Sequence, residues 1–154
     1  MGIGKGDIVE DFELPDQTGT PRRLSALLAD GPVVLFFYPA AMTSGCTAEA
    51  CNFRDLAAEF AAAGVQRVGI SRDPVDKQKQ FADLNGLDYP LLSDPDSKVA
   101  SALGVKRKLP LGPLSTKRMT FVIDTDRRIL EVIHSETNMN EHAAKALEIL
   151  AVKP

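Results

Sequence analysis

The chain has 154 residues, 44% of them hydrophobic, two cysteines and a formal net charge of −3; that apolar content fills the core of one ordinary domain, so a single domain over residues 1–154 is expected. The basic residues are scattered rather than gathered into a stripe, which argues against nucleic acid as a partner. Met1–Glu10 carries Lys5, Asp7 and Glu10 with no apolar run, and the longest apolar stretch, Val33–Tyr38, has strand length, so no membrane association and a soluble, cytoplasmic protein are expected.

In chain order, Asp11–Leu14, a turn around Asp16–Gly19, and Arg22–Leu24 read as a small hairpin, after which Ser25 caps a short helical turn. Val33–Tyr38 is β-branched, aromatic or aliphatic throughout and bracketed by Gly31-Pro32 and Pro39, the pattern of a buried central strand. From Cys46 to about Ala62, alanines with Phe53, Leu56, Ala57 and Phe60 recur at helical spacing until Gly64 breaks it, which predicts one amphipathic helix. Val65–Ser71 follows as a strand, and Asp73-Pro74 supplies an N-cap and first-turn proline for a helix toward Asn85-Gly86. Pro90–Ser93 is a short strand, Asp96–Leu103 a short helix, and Gly104–Ser115 a Gly-, Pro- and Leu-rich loop. Met119–Ile123 and Ile129–Ile133 flank a turn at Asp124–Arg127 as a hairpin, and Asn140 caps a closing helix to Leu150. A β-α-β unit followed by a β-hairpin and a helix is the order of an α/β, thioredoxin-like fold, with the N-terminal hairpin and the middle strand and helix as additions.

Two cysteines do not make a disulfide scaffold in a domain this large, and a cytosol keeps a structural pair reduced; if they pair, it is for chemistry. The bland alternative is two unrelated small hydrophobes. Cys46 falls just past the C-terminal end of the central strand and in the first turn of the following helix, where reactive groups collect in open α/β sheets. Free N–H groups and the helix dipole there favour a thiolate, which is the nucleophilic form. Taking a thiol from a pKa of about 8.5 to about 6 requires roughly 3.4 kcal/mol, whereas a helix terminus supplies about 0.3–1 and at most about 2, so a nearby cation is expected. If the strand from Met119 runs antiparallel to Val33–Tyr38, Arg118 arrives at the Cys46 end of the sheet and Arg127 and Arg128 at the other. A cation at about 4 Å is worth up to about 4 kcal/mol at an effective dielectric near 20, and a guanidinium fork also offers donors to the oxygens of a substrate. The alternative for Arg118 is a solvated strand-end arginine.

At about 100° per residue, Cys46 lies within about 40° of the Phe53, Leu56, Ala57 and Phe60 stripe, and Cys51 points nearly opposite. Five residues of ideal helix leave the two Cα atoms roughly 8–9 Å apart, beyond the limit of about 7 Å for a disulfide. If the two bridge, the first turns must unwind, which the small residues Thr47, Ala48 and Ala50 permit.

Pro39-Ala40-Ala41-Met42-Thr43-Ser44-Gly45-Cys46 resembles the Pro-x-x-x-Thr-x-x-Cys motif of peroxiredoxins, and the continuation Cys46-Thr47-Ala48-Glu49-Ala50-Cys51-Asn52-Phe53-Arg54-Asp55 resembles the peroxiredoxin Q, or bacterioferritin comigratory protein, group. The similarity extends to Phe12–Asp16, Val68–Ser71 and Arg118–Asp124, hence over essentially the whole chain. The resemblance implies an atypical 2-Cys, thiol-dependent peroxidase acting on hydrogen peroxide and organic hydroperoxides. In that cycle Cys46 passes through a sulfenic acid to a Cys46–Cys51 disulfide, which thioredoxin or a similar dithiol protein reopens. It further implies that Arg118 is the active-site arginine, that Thr43 hydrogen-bonds peroxide or thiolate, that Pro39 shields the sulfur, and that Glu49 orients Arg118. Glu49 also reads as a first-turn carboxylate favoured by the helix dipole. A monomer or weak dimer fits the group. Many relatives carry charged residues in place of Ala40 and Ala41 and proline in place of Ser44, departures that bear on loop rigidity and substrate preference.

The rivals are a thioredoxin-like disulfide oxidoreductase, which usually carries Cys-x-x-Cys, and a peroxide sensor that reports to a partner. His134 and His142 are the only histidines and lack ligand spacing with either cysteine, so no metal or cofactor is expected and both read as surface residues. Gly2, Gly4 and Gly6 follow no strand and make no nucleotide fingerprint, and Lys106-Arg107-Lys108 reads as a solvated run.

Overall fold

The computed structural model describes residues 3–111, 114–136 and 138–151. Gly2, the Gly112-Pro113 centre of the expected loop, and the Arg107 and Lys108 side chains lie outside the described residues. The first elements are β1 (Glu13–Pro15), β2 (Pro21–Arg23), α1 (Leu24–Leu28), β3 (Val33–Phe37), α2 (Ser44–Asp55), α3 (Ala57–Ala62) and β4 (Gln66–Ser71). The rest are α4 (Val75–Asn85), β5 (Leu91–Ser93), α5 (Lys98–Ala102), β6 (Lys106–Leu111), β7 (Leu114–Thr116), β8 (Met119–Ile123), β9 (Ile129–His134) and α6 (Met139–Ala151).

The central sheet has the order β5-β4-β3-β8-β9. β3 is parallel to β4 and antiparallel to β8, with Leu35 opposite both Val68 and Phe121. β3 is buried on both faces, and its side chains alternate between two cores. Val34, Phe36 and Tyr38 meet Phe53, Phe60, Phe81, Ala143 and Ala146 on the side of α2, α3, α4 and α6. Val33, Leu35 and Phe37 meet Leu24, Leu28, Val99 and Leu103 on the side of α1 and α5. The Phe36 and Phe53 rings stack at 4.2 Å, which seats α2 against the sheet; such a pair adds about 0.5–1.5 kcal/mol to the area it buries. Gly69 makes room for that aromatic layer, since a Cβ there would lie 3.0 Å from Phe36 and 2.9 Å from Leu91. This is the α/β, thioredoxin-like arrangement expected, with the β1–β2 hairpin, β5 and α5 as additions.

Several boundaries differ from the sequence reading. The helix expected from Cys46 to Ala62 is two, because Leu56 leaves helical dihedrals (φ −95°, ψ 20°); α2 packs on α6 while α3 packs on β4, and the turn redirects the chain between those partners. The 104–115 segment holds the β6–β7 ribbon rather than a plain loop. Ser25 lies inside α1, where the Asp11 carboxylate accepts its N–H and Oγ–H at 2.9 and 2.8 Å. α4 starts after Pro74, so Asp73 does not cap it. Asp94, upstream of the expected start, accepts the Lys98, Val99 and Ala100 amides of α5. α6 begins at Met139, which puts Asn140 within the helix. Among the described residues, no helix is long and apolar enough to cross a membrane.

Candidate active site

Parallel β3 and β4 end on the same edge of the sheet, and antiparallel β8 begins there. Three loops therefore converge beside the start of α2, and that convergence assembles the site. Tyr38 and Pro39 are buried, Met42 and Thr43 exposed, and Met42 takes a left-handed φ of 71°, unusual for a residue with a side chain. The loop is held from just past the end of β4, where Asp73 accepts the Ala41 N–H at 2.6 Å and the Ser71 Oγ–H at 2.7 Å. Gln78 of α4 donates to Ser71 Oγ at 2.9 Å and accepts the Tyr38 hydroxyl. Thr43 is the N-cap of α2, but its hydroxyl donates to the Ala40 carbonyl at 2.9 Å, which closes the loop on itself.

Cys46, 1% exposed, sits in the first turn of α2, where backbone N–H groups lack intrahelical partners. Arg118 reaches it from the residue before β8, with Nη2 3.4 Å from Cys46 Sγ. Its direction follows from strand alternation: residues 118, 120 and 122 share the face turned to α2 and α6, and Thr120 and Val122 are fully buried there. Arg118 is 7% exposed and donates through Nη1 to Glu49 Oε1 at 2.8 Å. Glu49 is fully buried one helical turn past Cys46. Burial pushes its carboxyl up to about 7, against the opposing charge and hydrogen bond of Arg118. Burial also works against the Arg118 charge, yet Cys46 and Glu49 together hold its pKa above the ordinary value.

The structure thus brings Cys46, Glu49 and Arg118 together, sets Pro39 and Thr43 on the adjoining loop, and puts Cys51 elsewhere. Cys51 is half-buried on the opposite flank of α2, where its thiol donates to Asn85 Oδ1 of α4 at 3.8 Å. It is sheltered by α4 rather than directed into open solvent. Both cysteines are free thiols. Two groups escaped the sequence reading. Asp73 reads from sequence as a helix cap, although parallel strands ending side by side place it against the loop after β3. His142, expected at the surface, is fully buried; its spacing to Ala146 and Ile149 on the packed face of α6 is the signal in the sequence. His134 is half-exposed and pairs with Glu136 at 2.7 Å.

Comparison with known proteins gives this geometry its family. Residues 5–132 match the AhpC/TSA family. A putative peroxiredoxin of Mycobacterium tuberculosis is 66% identical over 145 residues, 94% of each chain. The crystal structure of the peroxidoxin BcpB from Mycobacterium tuberculosis superposes with a TM-score of 0.93 at 63% identity over 99% of each chain. The bacterioferritin comigratory protein of Xanthomonas campestris, described for its alkyl peroxide reduction activity, superposes with a TM-score of 0.83 at 29% identity, covering 91% of this chain and 90% of that one. With this coverage and the thiol, guanidinium and carboxyl gathered at the start of α2, the chain belongs to the AhpC/TSA family as a thiol-dependent peroxidase of the peroxiredoxin Q/bacterioferritin comigratory protein group, using a peroxide substrate and a thiol reductant.

Proposed function

We propose that Cys46 is the peroxidatic cysteine and Cys51 the resolving one. The observation that carries this is the buried Arg118 Nη2 at 3.4 Å from Cys46 Sγ. As a thiolate, Cys46 attacks the terminal oxygen of a hydroperoxide; the O–O bond breaks, the sulfur becomes a sulfenic acid, and the alkoxide or hydroxide leaves and takes a proton. Arg118 stabilises the charge that moves from sulfur to the leaving oxygen. Glu49 Oε1 fixes one arm of the guanidinium so that the other faces the sulfur. Pro39 limits water at the sulfur, and Thr43 offers its hydroxyl oxygen to the peroxide, donating in turn once Ala40 releases it.

Cys51 then attacks the sulfenic sulfur and expels water, and exchange with a dithiol protein of the thioredoxin kind returns both thiols. The α2 geometry supports a resolving step that includes unwinding, since Cys51 lies on the far flank against Asn85. A cycle that returns both sulfurs to thiols fits a reducing cytoplasm. Residues 1–154 act as one domain, and a monomer or weak dimer suits a surface on which, among the described residues, the exposed large apolar side chains Ile8, Met42 and Leu84 belong to three separate segments.

Peroxide consumption coupled to thioredoxin and its reductase tests the assignment. Cys46→Ser is expected to abolish turnover, and Arg118→Ala to slow Cys46 oxidation about 10²–10³-fold, the cost of removing one preorganised donor. Cys51→Ser is expected to give one rapid oxidation and no thioredoxin-driven recycling. Full turnover in Cys46→Ser overturns the proposal.

A further inference from the structure

Behind Arg118 lies a buried group that the peroxidase cycle does not use. His142 of α6 is fully buried, and its Nε2 is 2.8 Å from the Ser135 carbonyl oxygen, which only accepts. Nε2 therefore carries the hydrogen, and Nδ1 of the neutral ring accepts from Thr120 Oγ1 of β8 at 2.7 Å. The same Nδ1 is 3.7 Å from Glu49 Oε2. That oxygen is buried with no hydrogen-bond partner among the described residues. Glu49 thus has one oxygen on Arg118 and the other facing an imidazole nitrogen that can take up a proton.

Charge counting gives this contact a purpose. When Cys46 is a thiolate, the buried cluster holds a negative sulfur, a positive Arg118 and, if Glu49 is ionised, a second negative charge on the same guanidinium. An uncompensated buried charge is unfavourable, and one proton retained on Glu49 or His142 removes it. We propose that His142 is a positioning residue that holds one proton jointly with Glu49, so that Arg118 is committed to the Cys46 thiolate rather than divided between two anions. The inference deepens the proposed function and rests on Cys46 being the nucleophile. The charged and titratable groups beside Glu49 are Arg118, Glu136 and Tyr89, and those beside His142 are Arg118, His134 and its neighbour Glu141; Cys46 acts on Arg118. Burial raises the carboxyl to about 7 and lowers the imidazole below its ordinary value, so Glu49 competes with His142 for the proton as an exposed carboxylate would not.

With two histidines in the chain, imidazole NMR resolves His142 from His134. Titration of the reduced protein is expected to show a His142 ring transition that moves about half a pH unit or more to lower pH in Cys46→Ser, where no thiolate draws the proton into the cluster. His142→Gln keeps a donor for Ser135 and an acceptor for Thr120 but takes up no proton. In a Cys51→Ser background it is expected to move the pH profile of Cys46 oxidation by hydrogen peroxide by a similar amount, and Glu49→Gln to remove the same inflection. A His142 signal that titrates identically with and without Cys46, or a His142→Gln profile that superposes on its parent, overturns the inference. The NMR comparison leaves His142 intact and so does not depend on that variant folding. Failure of Cys46 to be oxidised at all in the parent would instead overturn the underlying cysteine assignment.

Discussion

Asp73 acts on the site without touching the sulfur, because it tethers the loop that leads to Cys46. Its carboxylate accepts from the Ala41 amide and the Ser71 hydroxyl in a buried setting. Losing a buried acceptor that leaves donors unsatisfied costs about 1–3 kcal/mol. The consequence for rate follows from position, since a loop displaced by a fraction of an ångström moves Pro39, Thr43 and the first turn of α2 together. Asp73→Ala is therefore expected to slow Cys46 oxidation by about ten-fold and lower the thermal midpoint, whereas Asp73→Asn, which keeps an oxygen for Ala41, recovers much of the rate. Stopped-flow peroxide consumption in a Cys51→Ser background, beside thermal melts, checks this; equal rates for parent and Asp73→Ala would remove Asp73 from the site.

α2 must hold Cys46 in register for oxidation, yet it separates the two sulfurs that the proposed cycle joins. Its anchoring is uneven along its length. Ser44 is exposed and Thr47 half-buried at the start, while further on Tyr89 donates to the Ala50 carbonyl at 2.7 Å, Arg67 donates to the Phe53 carbonyl at 3.0 Å, and the Phe53 ring is stacked on Phe36. Unwinding that brings Cys51 to Cys46 is then confined to the segment before Phe53, restrained by the Tyr89 bond and by the contact of the Cys51 thiol with Asn85. Amide hydrogen exchange of oxidised protein is expected to accelerate from Thr47 to Cys51 and to stay unchanged from Phe53 to Asp55; equal protection of Thr47–Cys51 in both redox states would rule out the motion. Tyr89→Phe, which removes one hydrogen bond of about 1 kcal/mol, is expected to speed disulfide formation about five-fold. The elements that could be read in advance are those whose signal is local. Val33–Tyr38 announces itself by composition, the first turn of α2 by its motif, and Arg118 by the direction of one strand. What stayed hidden depends on pairings between distant segments. The Leu56 break has no glycine or proline to mark it, Asp73 suits a cap as well as a loop tether, and the spacing of His142 to Ala146 and Ile149 marks a packed face without showing that α6 packs on α2.

At the scale of the molecule, carboxylates of opposite tendency shape the dependence of stability on pH. Burial works against the Asp16 charge, but Thr18 Oγ1, Arg22 Nε and the Thr18 and Thr20 amides outweigh it and hold its pKa below the ordinary 3.8. Asp16 thereby closes the β1–β2 turn, and the neighbouring Gln17 carries that turn to the sheet by accepting the Leu91 amide and donating to the Tyr89 carbonyl. Glu49 behaves in the reverse sense, since burial raises it from 4.5 to about 7. Between those values the folded state binds more protons than the unfolded one, so its contribution to stability declines as pH rises. His142, lowered by burial, opposes that decline up to its unfolded value of 6.5, because there the unfolded chain binds the additional proton. Below pH 6.5 the two thus act in opposite senses, and the acid limb is left to depressed carboxylates such as Asp16. For Asp16 the unfolded state binds more protons around and below 3.8, so its stabilisation is present above that pH and is lost as pH falls through the lower folded value. Asp16→Asn is accordingly expected to melt at a lower temperature than the parent at pH 7, with a gap that narrows steadily below about pH 4 as the parent's own carboxylate becomes protonated. Calorimetric melts from pH 7 to pH 2 measure that gap, and a gap of constant size across the range would mean that the Asp16 charge, as opposed to its shape, contributes nothing to the fold.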